Sequence, residues 1–272
     1  PPRARHAGRP ACSTPDGEWA YAPLDERSNA PAAPLLDLGG DPSDPVALLM
    51  EHGAPLIAAI LAVLKAGRIY AALEPGDPAS RLKDMLAIAG ARVVLTDNTN
   101  AALARSLAAD RVQVVLAAEF LKRPSRVVLP EVAPEAAAWL MFTSGSTGIP
   151  KGVWQNHRGV VEQTDMNCEF SRLTPEDRLP LLTSTSLAAS ASPIFAALLN
   201  GATLALRKKF SASAFWDDCR KYGATVFQYI GELCRYLANR PESPADRDHR
   251  VRCAVGNGLR PDVWERVPRR FG

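Results

Sequence analysis

The strongest constraint on the fold is an alternation that begins at about residue 46, where short β-rich runs alternate with runs of helical composition. Strand-like runs are predicted at 69–73, 93–96, 112–116, 203–206 and 225–229. A strand, a helix and a second strand form a unit whose two strands lie parallel in one sheet. The sequence therefore predicts an α/β fold of mainly parallel sheets flanked by helices.

The longest apolar run extends from Ala54 to Leu64 and ends at Lys65. It is too short to cross a hydrocarbon layer of about 30 Å as a helix. Pro55 near its start and Gly67 just after its end match the preference for proline in the first helical turn and glycine after the last. Because the run is apolar on every side, we predict a core helix that is covered on both faces and no transmembrane segment.

Two stretches lack this regular pattern. Residues 120–137 are rich in proline and charge, and we expect a connection between two subdomains there. Residues 1–34 show little pattern, and we expect them to be loosely ordered. On this interpretation residues 1–272 form part of one large domain with a break near 120–137.

Charge and cysteine content exclude several classes of function. The formal net charge is only +3, and basic residues alternate with acidic ones, so we predict no nucleic-acid partner. The five cysteines are scattered and lack C-x-x-C spacing, which favours a reducing, cytoplasmic compartment and buried thiols. No export signal is recognised, and no metal ligand is assigned within the chain.

The segment most informative about chemistry follows the apolar run 138–142. Its glycines allow main-chain N–H groups to turn toward an anion, its hydroxyls add donors, and its lysine adds a positive charge. It is not a Walker A loop, because Pro150 stands where that motif needs glycine and Gly152 where it needs a hydroxyl residue. The predicted phosphate-binding residues are Thr143, Ser144, Gly145, Ser146, Thr147, Gly148 and Lys151.

Residues 140–152 resemble the phosphate-binding signature of the superfamily of acyl-CoA synthetases, adenylation domains of nonribosomal peptide synthetases, and luciferases. Residues 63–82 resemble a structural motif of the adenylation domains, and 18–29 are similar to the first motif of the family. Farther along, 207–237 and 256–261 resemble fatty acid transport proteins, which are very-long-chain acyl-CoA synthetases.

The resemblance implies that ATP activates a carboxylic acid as an acyl-adenylate, which then passes its acyl group to a thiol. Implied cofactors are ATP, Mg²⁺ and CoA, or a phosphopantetheine carrier protein in place of CoA. The implied nucleotide site combines the phosphate loop, where Lys151 stabilises phosphate, with Gly256, Asn257 and Gly258. The predicted substrate pocket contains Ala188, Ala189, Tyr229 and Gly231.

Residues 1–272 contain no match to three features of the family: its Mg²⁺-binding glutamate, its small C-terminal domain and its catalytic lysine. We therefore expect the Mg²⁺ ligand after Gly272, and we expect that the chain as given does not complete adenylation.

Substrate class is the least constrained prediction. Amino-acid adenylation domains hold the α-ammonium with an aspartate, and Ala188 stands at that position here, so an α-amino acid is disfavoured. A long-chain fatty acid is favoured, and peripheral association with a membrane is compatible with it. Two alternatives stay open: a domain that loads an acyl or aryl acid onto a carrier protein, and a non-catalytic nucleotide-binding fragment.

Overall fold

The structure is a computed structural model that describes residues 6–37, 41, 43–108, 112–120, 129–144, 150–207 and 211–272. Strands and helices alternate along these residues, so the predicted α/β class is confirmed. The strands are β1 Pro10–Thr14, β2 Gly17–Ala20, β3 Val46–Leu49, β4 Tyr70–Leu73, β5 Val93–Thr96, β6 Gln113–Leu116, β7 Ala137–Ser144, β8 Pro150–Asn156, β9 Arg178–Leu181, β10 Thr203–Leu206, β11 Val226–Ile230 and β12 Cys253–Asn257. The helices are α1 Tyr21–Asp37, α2 Ala54–Lys65, α3 Ala79–Ala89, α4 Ala101–Leu107, α5 Ala117–Phe120, α6 His157–Ser171, α7 Ala191–Asn200, α8 Phe215–Tyr222, α9 Gly231–Ala238 and α10 Pro261–Phe271, with a 3-10 turn at Ala188–Ser190 before α7.

The described strands form three sheets. The largest has the order β6-β5-β3-β4-β7-β8 and is parallel except for β8. The second has the order β2-β1-β10-β9 and is parallel except for β2. The third is the parallel pair β11 and β12, which lies beside β9, where the Thr225 N–H donates to Arg178 O at 3.0 Å. Mainly parallel sheets need cover on both faces, which explains why the strands are continuous apolar runs.

Helix α2 packs in the core between the two larger sheets. Its buried side chains share one cluster with Val46 and Leu95 of the six-stranded sheet and with Cys12 and Leu204 of the four-stranded sheet. The opposite face of the six-stranded sheet is covered by α3 and α4. The prediction of a helix covered on both faces is confirmed. No described helix combines the length and the apolar character that crossing a membrane requires.

The expectation that residues 1–34 are loosely ordered was wrong for the described residues from 6 onward. They form β1, β2 and most of α1, whose sequence contains Pro31 and Pro34. Proline disfavours a helix interior, so the local pattern is weak and tertiary packing decides. The hydroxyl of Tyr21 lies 2.9 Å from Ala197 O and 2.7 Å from Ala202 O, which ties this helix to the α7 region.

The break expected near 120–137 does not separate two sheets. β6 and β7 lie on either side of this stretch and belong to the same six-stranded sheet, with Tyr70 of β4 paired to Trp139 of β7. Residues 121–128 lie outside the described part of the chain. A polar, proline-rich connection does not specify which sheet the next strand joins. Here that strand's apolar residues pair with β4.

Candidate active site

The described ends of the predicted phosphate-binding segment, Thr143 and Lys151, lie at the tip of the β7–β8 hairpin. The register pairs Thr143 with Lys151 and Ser144 with Pro150, so the two ends of the segment are held side by side. Thr143 and Lys151 are both exposed at this tip. The side chain of Ser144 and the predicted residues Gly145, Ser146, Thr147 and Gly148 lie outside the described part.

The position of this tip in the sheet favours ligand binding. β7 runs parallel to β4, so Thr143 lies at the carboxyl edge of the parallel strands. Ligands of open α/β sheets bind outside that edge. Within the described residues, no ion pair engages the Lys151 ammonium. Among the described residues, its charge is therefore not paired with a carboxylate.

Gly152 has a different role from the one its place in the motif suggests. It lies inside β8, and a Cβ there would approach Leu140 Cδ1 to 3.0 Å and Ile88 Cγ2 to 3.4 Å. This glycine leaves room for Ile88 of α3 and Leu140 of β7 to pack closely against β8. It contributes to the scaffold rather than to the turn.

Glycines at the carboxyl ends of β11 and β12 allow the two main chains to lie very close together. A Cβ on Gly256 would lie 2.1 Å from Tyr229 O, and a Cβ on Gly231 would lie 1.8 Å from Gly258 O. Gly258 has a φ of 72°, in the left-handed region that glycine adopts most readily. The two main chains can approach this closely only because side chains are absent. The structure thus brings together Tyr229, Gly231, Gly256 and Gly258, which the sequence placed in a nucleotide and acid site.

A cavity of about 450 Å³ opens between the β7–β8 hairpin, α6, the start of α7 and the β11–β12 pair. Its lining includes four of the predicted site residues, and two side chains of β7 form part of its wall. These six residues are Ala189, Tyr229, Gly256, Asn257, Trp139 and Met141. Gly231 and Gly258 directly follow the lining residues Ile230 and Asn257 in the chain, and the two glycines contact each other. The side chain of Ala188 is outside the described part.

The wall of the cavity that carries Ala189 is fixed by a contact with the six-stranded sheet. The main-chain N–H of Thr185 donates to His52 Nε2 at 3.3 Å, and Glu74 Oε2 lies 3.5 Å from the same nitrogen. His52 and Glu74 follow β3 and β4 at the carboxyl edge. The segment before α7 is therefore held at the carboxyl edge of the six-stranded sheet, where the tip of the β7–β8 hairpin also lies.

Burial shifts the pKa of two side chains near the cavity. It raises the pKa of the Tyr229 hydroxyl, with a smaller contribution from Cys234, so this group stays neutral and can hydrogen-bond. His157 begins α6, and burial lowers its pKa, which favours the neutral ring. Its main-chain N–H donates to Ala136 O at 3.0 Å, whereas its buried Nε2 has no hydrogen-bond partner among the residues that the structure describes.

The amino ends of β9, β11 and β12 are joined by a buried ion pair that sequence analysis did not find. Asp177 is 4% exposed and accepts hydrogen bonds from Arg252 Nη2 at 2.6 Å and from Thr225 Oγ1 at 2.6 Å. The Arg252 guanidinium also donates to Ser171 O at the end of α6. This pair sets the position of β12 and hence of the glycines at its carboxyl end. No local pattern predicts it, since its partners are distant in sequence.

A second cleft, also about 450 Å³, lies between α9 and α10 and is rich in arginine. Arg270 pairs with Asp246 at 2.6 Å, and Arg266 donates to Ala238 O at 2.8 Å. Guanidinium groups at the carboxyl end of a helix neutralise its partial negative charge. These arginines therefore serve the packing of the two helices.

Comparison with known proteins establishes the family. A model of the family described as AMP-binding enzyme matches residues 3–272. The chain belongs to the AMP-binding enzyme family. The chain is 37% identical to long-chain fatty acid transport protein 2 of Rattus norvegicus, over 94% of the chain and 45% of that protein. It is 34% identical to the medium/long-chain-fatty-acid–CoA ligase FadD6 of Mycobacterium tuberculosis, over 99% of the chain and 47% of that protein. It thus spans about half the length of these curated relatives.

Solved structures agree on the fold. The N-terminal subdomain of Klebsiella oxytoca NpsA, in complex with 3-hydroxybenzoyl-AMSN, superposes with a TM-score of 0.87 at 23% identity, over 99% of this chain and 68% of that one. The nonribosomal peptide synthetase FmoA3 superposes with a TM-score of 0.86 at 25% identity, over 99% of this chain and 29% of that one. The resemblance to both acyl-CoA ligases and peptide-synthetase adenylation domains is confirmed.

Proposed function

We propose that this chain is part of an enzyme that uses ATP to activate a carboxylic acid as its acyl-adenylate. The observation that carries the proposal is the arrangement of the cavity, which lies between the hairpin that ends in Thr143 and Lys151 and the close-packed glycines of β11 and β12. Family membership and the carboxyl-edge location both support it.

In the proposed reaction a carboxylate oxygen attacks the α-phosphorus of ATP, and the bond from that phosphorus to the bridging oxygen breaks. Pyrophosphate leaves. Since both reactants are anionic, groups that stabilise negative charge must be in place beforehand. The Lys151 ammonium is one such group, and it would hold the β and γ phosphates. Mg²⁺, which the family resemblance implies, would add positive charge at the phosphates. Among the described residues, no group of three or more His, Cys, Asp or Glu side chains could hold a metal ion.

We further propose that the acid is a long-chain fatty acid and that the acyl group passes to CoA. Relatives named as long-chain fatty acid transport proteins and a fatty-acid–CoA ligase, at 34% to 37% identity over nearly the whole chain, support this choice. The cavity lining contains no described carboxylate that could pair with an α-ammonium group, which disfavours amino acids.

A second candidate is loading of the acid onto the phosphopantetheine thiol of a carrier protein. The structural similarity to peptide-synthetase adenylation domains favours it. A transfer assay with free CoA and with a phosphopantetheinylated carrier as competing acceptors separates the two. Faster transfer to the carrier would replace the CoA proposal.

The test of adenylation is acid-dependent exchange of ³²P between pyrophosphate and ATP by the full gene product. We expect exchange with hexadecanoic or decanoic acid to exceed exchange with leucine or glycine. The opposite order would refute the fatty-acid proposal, and exchange with none of them would refute adenylation of these acids.

Lys151 gives a residue-level test. The substitution Lys151→Gln should lower exchange about 100-fold, a loss typical of removing one charge-stabilising donor. Lys83→Gln is the matched control, because Lys83 is an exposed lysine of α3 that is not part of the predicted phosphate-binding segment. Equal activity of the two variants would remove Lys151 from the phosphate site.

A further inference from the structure

The lining of the main cavity contains many side-chain amides. Five contribute to it, and the described lining contains no charged side chain. The remaining walls are apolar or carry hydroxyls, with Met141 and Val255 among the apolar ones. The five amide residues are Gln155, Gln163, Asn167, Gln228 and Asn257.

These amides lie on opposite walls of the cavity. Gln163 and Asn167 follow Gly159 at intervals of four residues on α6, so all three lie on one face of the helix. Gln228 belongs to β11 on the other side, where it pairs in register with Val255 of β12. A ligand between α6 and β11 therefore meets hydrogen-bonding groups from both sides.

Most of the hydrogen-bonding capacity of these amides is not used by other residues in the part of the chain that the structure describes. Asn167 Nδ2 donates to Ser192 Oγ at 2.8 Å, which leaves the Asn167 carbonyl oxygen available. The side-chain amides of Gln155, Gln163 and Gln228 make no hydrogen bond to another residue in the described ranges. An amide has two donor hydrogens and an acceptor oxygen, so several groups on the cavity wall can engage a ligand.

A second, much smaller cleft shares part of its lining with the cavity. This cleft of about 20 Å³ shares Asn167, Ser192 and Gln228 with the main cavity and is otherwise lined largely by apolar side chains such as Leu179 and Val226. Asn167 and Gln228 thus line both spaces, and with Gln155 and Gln163 they make up the amide collar of the cavity.

We infer that the cavity selects an acid whose acyl group carries an uncharged hydrogen-bonding substituent, such as a hydroxyl, over the unsubstituted acid of the same length. This inference rests on the proposed adenylation function. An alkyl chain in contact with the collar would displace water from the amides without replacing its hydrogen bonds, whereas a hydroxyl both donates and accepts. A charged substituent would find no counter-ion in the described lining.

The experiment compares matched pairs of acids in pyrophosphate exchange by the full gene product. The pairs are decanoic with 10-hydroxydecanoic acid, hexadecanoic with 3-hydroxyhexadecanoic acid, and benzoic with 3-hydroxybenzoic acid. In at least one pair we expect kcat/KM for the hydroxylated member to be higher by about tenfold or more, since sites that bind a hydroxyl reject the analogue without it. Gln228→Leu and, separately, Gln163→Leu should reduce that ratio, chiefly by slowing the hydroxylated acid.

Gln113→Leu serves as the control, because Gln113 is exposed on β6 and does not line the cavity. Exchange with the unsubstituted acid and the thermal unfolding temperature show whether each variant is folded. Preference for the unsubstituted member in every pair, or a ratio unchanged in both folded variants, would overturn the inference while leaving adenylation intact. Exchange with none of the acids would overturn the proposed function and this inference with it.

Discussion

Replacement of Asp177 by asparagine should lower the free energy of unfolding by about 3 kcal/mol, because it leaves the guanidinium of Arg252 without its anionic partner. Breaking a buried ion pair by removing one partner costs about 3–5 kcal/mol. The lower end applies here, since the Arg252 side chain is 41% exposed and water can solvate part of its charge. Asparagine keeps the shape of the side chain, so the loss reports on charge and hydrogen bonding rather than on a cavity.

The number of hydrogen bonds lost supports this magnitude. The Asp177 carboxylate accepts from Arg252 Nη2 and Nε at 2.6 and 3.0 Å, from Thr225 Oγ1 at 2.6 Å, and from Thr174 N at 2.8 Å. An asparagine amide presents one oxygen and an NH₂ group that would face the guanidinium. Urea denaturation at neutral pH, monitored by tryptophan fluorescence, measures the difference through the transition midpoint.

Asp217→Asn is the matched control. Its side chain is 74% exposed and pairs with Arg220 only three residues away on α8, so the expected change is below about 0.5 kcal/mol. A change for Asp177→Asn as small as that of the control would refute the argument that this buried pair holds the third sheet to the second.

The pH dependence of the same variant has a defined sign. Burial of Asp177 opposes ionisation, but hydrogen bonds from Arg252, Thr225 and Thr174 outweigh it and hold the pKa of this carboxyl below its usual range. Such a group stabilises the fold above its unfolded pKa of about 4, and the contribution is lost as pH falls through the lower folded value. Acidification from pH 5 downward should therefore narrow the stability gap between wild type and Asp177→Asn. A gap independent of pH would contradict this.

Two further predictions concern the β11–β12 pair and the thiols. Gly256→Ala should destabilise the protein by at least about 2 kcal/mol, because the new Cβ would lie 2.1 Å from the main-chain oxygen of Tyr229. Gly8→Ala is the control, since a Cβ at Gly8 would have no atom within 4 Å. Equal urea midpoints for the two variants would contradict the prediction. In the native protein a thiol reagent should label Cys253, which is partly exposed, well before Cys12, because burial raises the pKa of the Cys12 thiol to about 12. Mass spectrometry of the labelled peptides measures the order of labelling. Labelling of Cys12 before Cys253 would contradict the prediction.

Much of the fold follows from short-range patterns. β5 and β10 were predicted with the bounds that the structure shows, since buried parallel strands are continuous apolar runs that the sequence displays directly. Helix α2 was recognised by its apolar length and its terminal proline and glycine. The prediction that residues 143–151 bind phosphate rests on residue types in one continuous segment, so it could be made without the tertiary structure.

Other features depend on which segments meet in space. The position of α1 rests on contacts of Tyr21 with the α7 region, and β7 joins the sheet of β6 by pairing with β4. A single strand or helix carries little information about its distant partners, because main-chain hydrogen bonds and apolar contacts are much the same for many pairings.

The amino-acid sequence by itself determined the α/β class, the family resemblance and the residues of the hairpin tip. Only the tertiary structure decided that Gln163 of α6 and Gln228 of β11 line one cavity, that Asp177 pairs with Arg252, and that Gly152 serves packing. The physical reason is that local composition sets what a segment can form, whereas close packing of distant segments sets which side chains share a space and what chemistry they perform together.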